Sequence, residues 1–271
     1  MRLKVTYSVV SGKSVEIKET MLPARSMEQY KKKRRPRIAG NSSEKKIIAN
    51  EQEAVRRLAR IINCNFGAGD MFITRKYSAA TLPTDMEAAE QEFKKLLRKL
   101  RDIYKKQTGK KLRYVWVPSN IDPKTGKETR IHHHLIADRM SYELLRELVP
   151  AQDEISYTIL DNRGDHTALA VYLVGNGKGK GPGKKKWSTS QGLEKPIYTE
   201  PEIIEEIGEI EAPPGVEIKE SSFYMDEETG QMQAYLRYVL PDKPEVKGNT
   251  IIFPQQRQHK TRKKKRKKRR K

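Results

Sequence analysis

Cysteine occurs once, at Cys64. A lone thiol closes no internal disulfide and builds no cysteine-based zinc finger, so any metal must be held by histidine and carboxylate. Aromatic residues make up 7% of the 271 positions and hydrophobic residues 35%, against 34% charged. That is enough for one sizeable core, bounded by segments that contribute little to it. No apolar run reaches the roughly 18–20 residues of a membrane span, and the opening MRLKVTYSVV lacks the apolar stretch of a secretory signal. The expectation is a soluble, cytoplasmic protein with no membrane partner.

Acidic residues are absent from positions 251–271, which carry 12 Lys and Arg. The sign reverses at 200–250, with 13 acidic residues against 4 basic, while the whole chain is at +21. Basic flanks and a basic middle suit a polyanion, because each phosphate neutralised by Lys or Arg releases condensed counterions. Nucleic acid is therefore the expected partner. Composition divides the chain into a basic arm (1–45, with KKKRRPR at 31–37), a folded domain (46–199), an acidic C-terminal subdomain (200–254) and a disordered basic tail (255–271).

Within the folded part, helical spacing of Ile47, Ile48, Ala54, Leu58, Ile61 and Ile62 predicts a helix over 43–63. A strand follows at 71–78. Thr84 and Asp85 offer caps for a long helix striped by Ala89, Phe93, Leu96, Leu97, Leu100, Ile103 and Tyr104, and Gly109 ends it. Strands at 112–118 and 131–137, a helix at 140–149, a strand at 155–160 and a helix at 165–174 complete the order. Beyond them, 200–211 reads as a short acidic helix, and 216–225 with 232–240 as paired strands. That alternation, with a hairpin-like pair in its middle, predicts an α+β fold: an antiparallel sheet covered by helices.

The densest chemistry is His132, His133 and His134 on the strand IHHHLIA. Side chains alternate along a strand, so His132 and His134 share a face and converge on one ion, while His133 enters the opposite layer. Imidazole pairs suit a catalytic divalent metal with positions left open for a phosphate oxygen. Tyr172 lies near the end of the helix ALAVYLV, just before a Gly/Lys loop, GNGKGKGPGKKKW. A phenol titrates near pH 10 and attacks well only when a cation, such as Lys178, Lys180 or a metal, lowers that value or polarises its target.

These landmarks, MFITRKY, RIHHHLI, LAVYLVG and KKKWSTSQGLEKP in this order, resemble the HUH endonuclease superfamily, and within it the replication proteins that initiate rolling-circle replication in phages and plasmids. The resemblance spans about 63–196. It implies a ferredoxin- or RRM-like central antiparallel sheet of about five strands, His132 and His134 holding Mg²⁺ or Mn²⁺, and Tyr172 as nucleophile. It also implies single-stranded DNA at a replication origin as substrate, with a host helicase or polymerase as further partner. The DNA-contacting residues expected on this reading are Arg75, Lys76, Lys180, Lys184, Lys185, Lys186 and Trp187. Relatives carry a glutamate as third ligand where this chain has Ser119 and Asn120, which makes Asp122 and Glu128 the candidates. They carry a lysine where Gly175 stands, a role left to Lys178 or Lys180. The rival reading is a nucleic-acid-binding protein that cuts nothing, its histidines merely structural.

Overall fold

The computed structural model describes residues 2–23, 44–177, 185–227 and 230–253. Strands β1 (Arg2–Ser11) and β2 (Ser14–Pro23) form a hairpin around Gly12 and Lys13. Gly12 has φ 61° while Lys13 does not turn positive, the pattern of a type II′ turn, which favours glycine at its first central position. A Cβ at Gly12 would lie 2.1 Å from the carbonyl oxygen of Asn63. The turn is therefore pressed against the next element, helix α1 (Glu44–Asn65).

There follow β3 (Met71–Lys76), α2 (Met86–Thr108), β4 (Tyr114–Ile121), β5 (Glu128–Ala137), α3 (Tyr142–Leu148), β6 (Glu154–Ile159) and α4 (Thr167–Asn176). Asp85 caps α2 by accepting the Ala88 N–H at 2.8 Å, and Gly109 closes it at φ 72°. The described residues thus contain four helices. Strands β3 to β6, with the short β7 (Ser188–Thr189), make an antiparallel five-stranded sheet ordered β6-β3-β5-β4-β7. Phe93, Leu97 and Leu100 of α2 and Leu144 and Leu145 of α3 cover one face, against Ile73, Trp116 and Leu135. Leu58 and Ile62 of α1 and Ala170, Leu173 and Val174 of α4 cover the other, against Val115, Val117 and Ile136. Each such side chain taken fully out of water contributes about 1.5–3 kcal/mol before entropy is counted. The expected α+β architecture, an antiparallel sheet flanked by helices, is what the chain forms.

Residues 1–45 are not wholly an arm, nor are 200–254 a separate subdomain. The hairpin β1–β2 joins β8 (Ile197–Tyr198), β9 (Glu202–Ile203), β10 (Glu217–Met225) and β11 (Met232–Val239) in a second antiparallel sheet, ordered β10-β11-β2-β1-β8 with β9 also on β1. Val5, Val9 and Val10 of the first strand are buried: Val9 lines the face toward α1, and Val10 points to the opposite face with Val15, Leu236 and Tyr238. The acidic helix expected at 200–211 does not form. Glu202 and Ile203 pair with β1, and like-charged glutamates at i, i+4 (Glu205, Glu209) disfavour a helix. A small hairpin, β12 (Glu245–Lys247) and β13 (Thr250–Ile252), follows. The basic tail from 255 lies outside the described residues.

Helix α1 consequently sits between the two sheets, and α4 meets the second sheet at its N-terminal end. Arg60 of α1 donates to both carboxylate oxygens of Glu16 on β2 at 2.7 and 2.6 Å, and Arg237 of β11 reaches Asp165 before α4 at 2.6 Å. Among the described residues, no helix is long and apolar enough to cross a membrane.

Candidate metal and nucleophile site

Strand register places Lys76, His132 and Ser119 side by side across β3, β5 and β4, with Thr74, His134 and Val117 as the next row. Alternation then puts both outer histidines on the α1/α4 face and His133 on the other. There His133 is fully buried, stacks on Phe93 at 4.2 Å and bonds the Tyr77 hydroxyl at 3.1 Å. Burial drives its pKa well below the usual value, so it is a neutral core residue.

The His132 and His134 rings lie 4.8 Å apart, centroid to centroid. His132 Nδ1 is 2.9 Å from the Arg130 carbonyl oxygen. A carbonyl only accepts, so Nδ1 carries the proton and Nε2 keeps its lone pair. His134 Nδ1 meets the Thr74 hydroxyl at 3.0 Å, and its Nε2 meets the Tyr172 hydroxyl at 3.4 Å. Burial first, and the neighbouring His132 second, lower the His134 pKa to about 3. It is an uncharged base at neutral pH. Tyr172 projects from α4 with 38% of its surface exposed, its ring edge-on to Phe72 and 5.1 Å from His134. The three side chains singled out on the strand face and the helix thus meet at one place.

Sequence reasoning missed the supports. Phe72 stacks on His134 at 5.6 Å. Asn176, fully buried, donates to the Tyr172 carbonyl at 2.9 Å and accepts from Ser119 Oγ at 3.0 Å. Phe72 and Thr74 stand in period-two positions of β3, and Asn176 lies one helical turn beyond Tyr172, which are signals the primary structure contains.

The His132 Nε2 lone pair is free and that of His134 is turned to the Tyr172 hydroxyl, which a bound ion would displace; two such imidazoles fit a divalent cation, but neither candidate carboxylate completes the set. Asp122 accepts the Lys124 N–H at 2.9 Å and the Thr125 hydroxyl at 3.0 Å. Those turn contacts hold its pKa down. Glu128 is exposed at the start of β5, paired in register with Ile121 rather than with the histidine row. Among the described residues, no three His, Cys, Asp or Glu side chains are grouped to hold an ion. Ser119 occupies the cross-strand place beside His132 as a neutral oxygen donor. Nitrogen and neutral oxygen without carboxylate suit Mn²⁺ better than Mg²⁺.

Arg75 is not available to DNA. It points to the α2 face, 4% exposed, held by Asp153 at 2.7 Å and Glu92 at 2.6 Å, because alternation on β3 opposes it to His133 rather than to His132 or His134. Lys76 stays on the site face, exposed and paired with Glu154 at 2.9 Å. With Arg130 it lines a cleft of about 530 Å³ whose other walls are Tyr77, Ser78, Ala79, Gln152 and Glu154. Lys185 is exposed, Lys186 stands 4.0 Å from Glu51, and Trp187 packs half-buried on the α1/α4 core. Lys178, Lys180 and Lys184 lie outside the described residues. At Gly175 a Cβ would come within 2.9 Å of Pro123 Cβ, which is why a lysine is not accommodated there.

Compared with known proteins, the chain matches no family model, no curated protein and no solved structure.

Proposed function

We propose that this chain is a single-stranded DNA nickase and strand transferase of the HUH type, opening an origin for rolling-circle replication of a phage, plasmid or related element. The observation that carries the reading is the Tyr172 hydroxyl 3.4 Å from His134 Nε2, with His132 beside it on the same sheet face.

Tyr172 Oη attacks the scissile phosphorus in line. The bond from Oη to phosphorus forms, the bond from phosphorus to O3′ breaks, and the phenol proton ends on the departing 3′ oxygen. The products are a 5′-phosphotyrosyl link and a free 3′-OH, which a host polymerase extends and which reverses the step on rejoining. His132 and His134 would hold Mg²⁺ or Mn²⁺, which when bound polarises the phosphate and offsets its developing charge. Phe72 and Thr74 fix the His134 ring, Asn176 ties α4 to β4, and Lys76, next to His132 across the strands, offers a cation to the phosphate backbone.

The test is incubation of the full chain with single-stranded origin DNA and Mn²⁺, followed by denaturing electrophoresis. A covalent species is expected from the parent and none from Tyr172→Phe, with DNA binding retained. Adducts from Tyr172→Phe would remove the assignment. One observation favours the non-catalytic alternative, a protein that coats nucleic acid: among the described residues no carboxylate stands with the histidines. Intact oligonucleotide across many sequences is the outcome that reading requires.

A further inference from the structure

On the side of α1 away from the histidine-bearing sheet, a second cleft of about 740 Å³ opens between that helix and the outer strands β1, β2 and β8. Leu58 and Ile62 bury the inner side of α1. Arg57 and Arg60 line the cleft from the helix, Lys18 from β2, Tyr7 from β1 and Tyr198 from β8. None of these residues takes part in the site described above.

Its charges do not balance. Among the described residues, three cations, Lys18, Arg57 and Arg60, meet two carboxylates, Glu16 and Glu53. Arg60 takes both oxygens of Glu16. Glu53 is shared between Arg60 at 3.4 Å and Lys18 at 3.9 Å. Arg57 is exposed and has no acidic partner among the described residues. The Lys18 side chain is only 17% exposed, and its burial together with the Arg60 and Arg56 charges disfavours its ammonium form. An incoming anion relieves both problems. Facing these cations, Tyr198 exposes 55% of its surface, its hydroxyl 3.4 Å from Arg60. A cationic wall opposite an exposed aromatic ring is the construction that holds a single nucleic-acid strand, by phosphate contact and base stacking together.

We infer that this cleft is a second single-stranded DNA site, in which Lys18 and Arg57 contact two phosphates and Tyr198 stacks on a base of a segment outside the scissile phosphodiester. The choice of DNA as occupant rests on the function proposed above, while the anion preference rests on the cleft alone.

The experiment uses the full chain carrying Tyr172→Phe, which prevents cleavage, and a fluorescein-labelled 20-nucleotide thymidine oligomer. Anisotropy titrations between 50 and 300 mM NaCl give the salt slope of binding. At about 0.7 counterions per single-strand phosphate, Lys18→Gln with Arg57→Gln reduces the slope by about 1.4 and weakens binding about 25-fold at 0.1 M salt. Tyr198→Leu weakens binding about tenfold, through lost stacking, with the slope unchanged. The control is Lys95→Gln with Lys99→Gln on α2. Equal losses from that pair, or a slope and affinity for Lys18→Gln/Arg57→Gln within twofold of the parent, overturn the inference. Should the double variant melt early, Arg57→Gln alone, at an exposed position, is expected to lose about 0.7 of slope, and no loss there overturns the inference equally. Tyr172 adduct formation is scored separately on the parent. Absence of adducts with the slope loss intact rejects the nickase and keeps the cleft, and the reverse result rejects the cleft alone.

Discussion

Replacing Glu16 by Gln keeps its shape and removes the charge that holds Arg60 between the second sheet and α1. Arg60 is 3% exposed and donates two short bonds to Glu16, which also accepts the Tyr235 hydroxyl at 3.1 Å. The amide returns one acceptor and turns its own N–H groups toward a guanidinium that cannot lose its proton. A buried charge stripped of its partner costs about 3–5 kcal/mol. Glu53, 3.4 Å from Arg60 and about half exposed, recovers part of that, so the expected loss is about 3 kcal/mol, a large share of the roughly 5–15 kcal/mol that a folded chain has. Urea unfolding followed by circular dichroism measures it, and the melting temperature should fall by about 6–12 °C. Replacing both residues together, Glu16→Met with Arg60→Met, should restore most of the loss, since an apolar pair needs no charge balance. A loss below about 1 kcal/mol for Glu16→Gln would refute the claim that this pair fastens the sheet to the helix.

Three further outcomes follow from the geometry. Gly12→Ala should destabilise by at least about 2 kcal/mol in the same assay, because it forces alanine to positive φ and its Cβ into the Asn63 carbonyl. His133 is held neutral by burial, whereas in the unfolded chain it titrates near pH 6.5. The unfolded state then binds more protons below that value, so stability falls on acidification, and His133→Gln should lessen the fall between pH 6.5 and 5 by about 1.6 kcal/mol in total. Thr74→Val removes the partner of His134 Nδ1 and should weaken Mn²⁺ binding about 10- to 100-fold by calorimetry.

The central sheet was legible because its elements announce themselves locally. Asp85 and Gly109 bracket a striped helix, and period-two alternation sorts His132 and His134 from His133. The same rule, applied to β3, would have turned Arg75 inward, since it stands opposite His133, but a net positive charge obscured that parity. The second sheet was legible only as the pair 216–225 with 232–240, and its junction with the first hairpin was hidden for another reason. Its strands are remote in sequence, and nothing near Val15 or Ile17 reveals Leu236 and Tyr238 as the neighbours that complete their layer. The Ser119–Asn176 contact joins a strand to a helix 57 positions on, a distance that periodicity does not bridge.

The pairing of Thr20 with Gln233 also sets an order of events during synthesis. At roughly 5–20 residues per second, the first hairpin waits roughly ten to forty seconds on the ribosome for β11. Until then β2 has no neighbour on its outer side and the fold retains an open edge of high contact order, so premature release or stalling leaves a backbone template for aggregation.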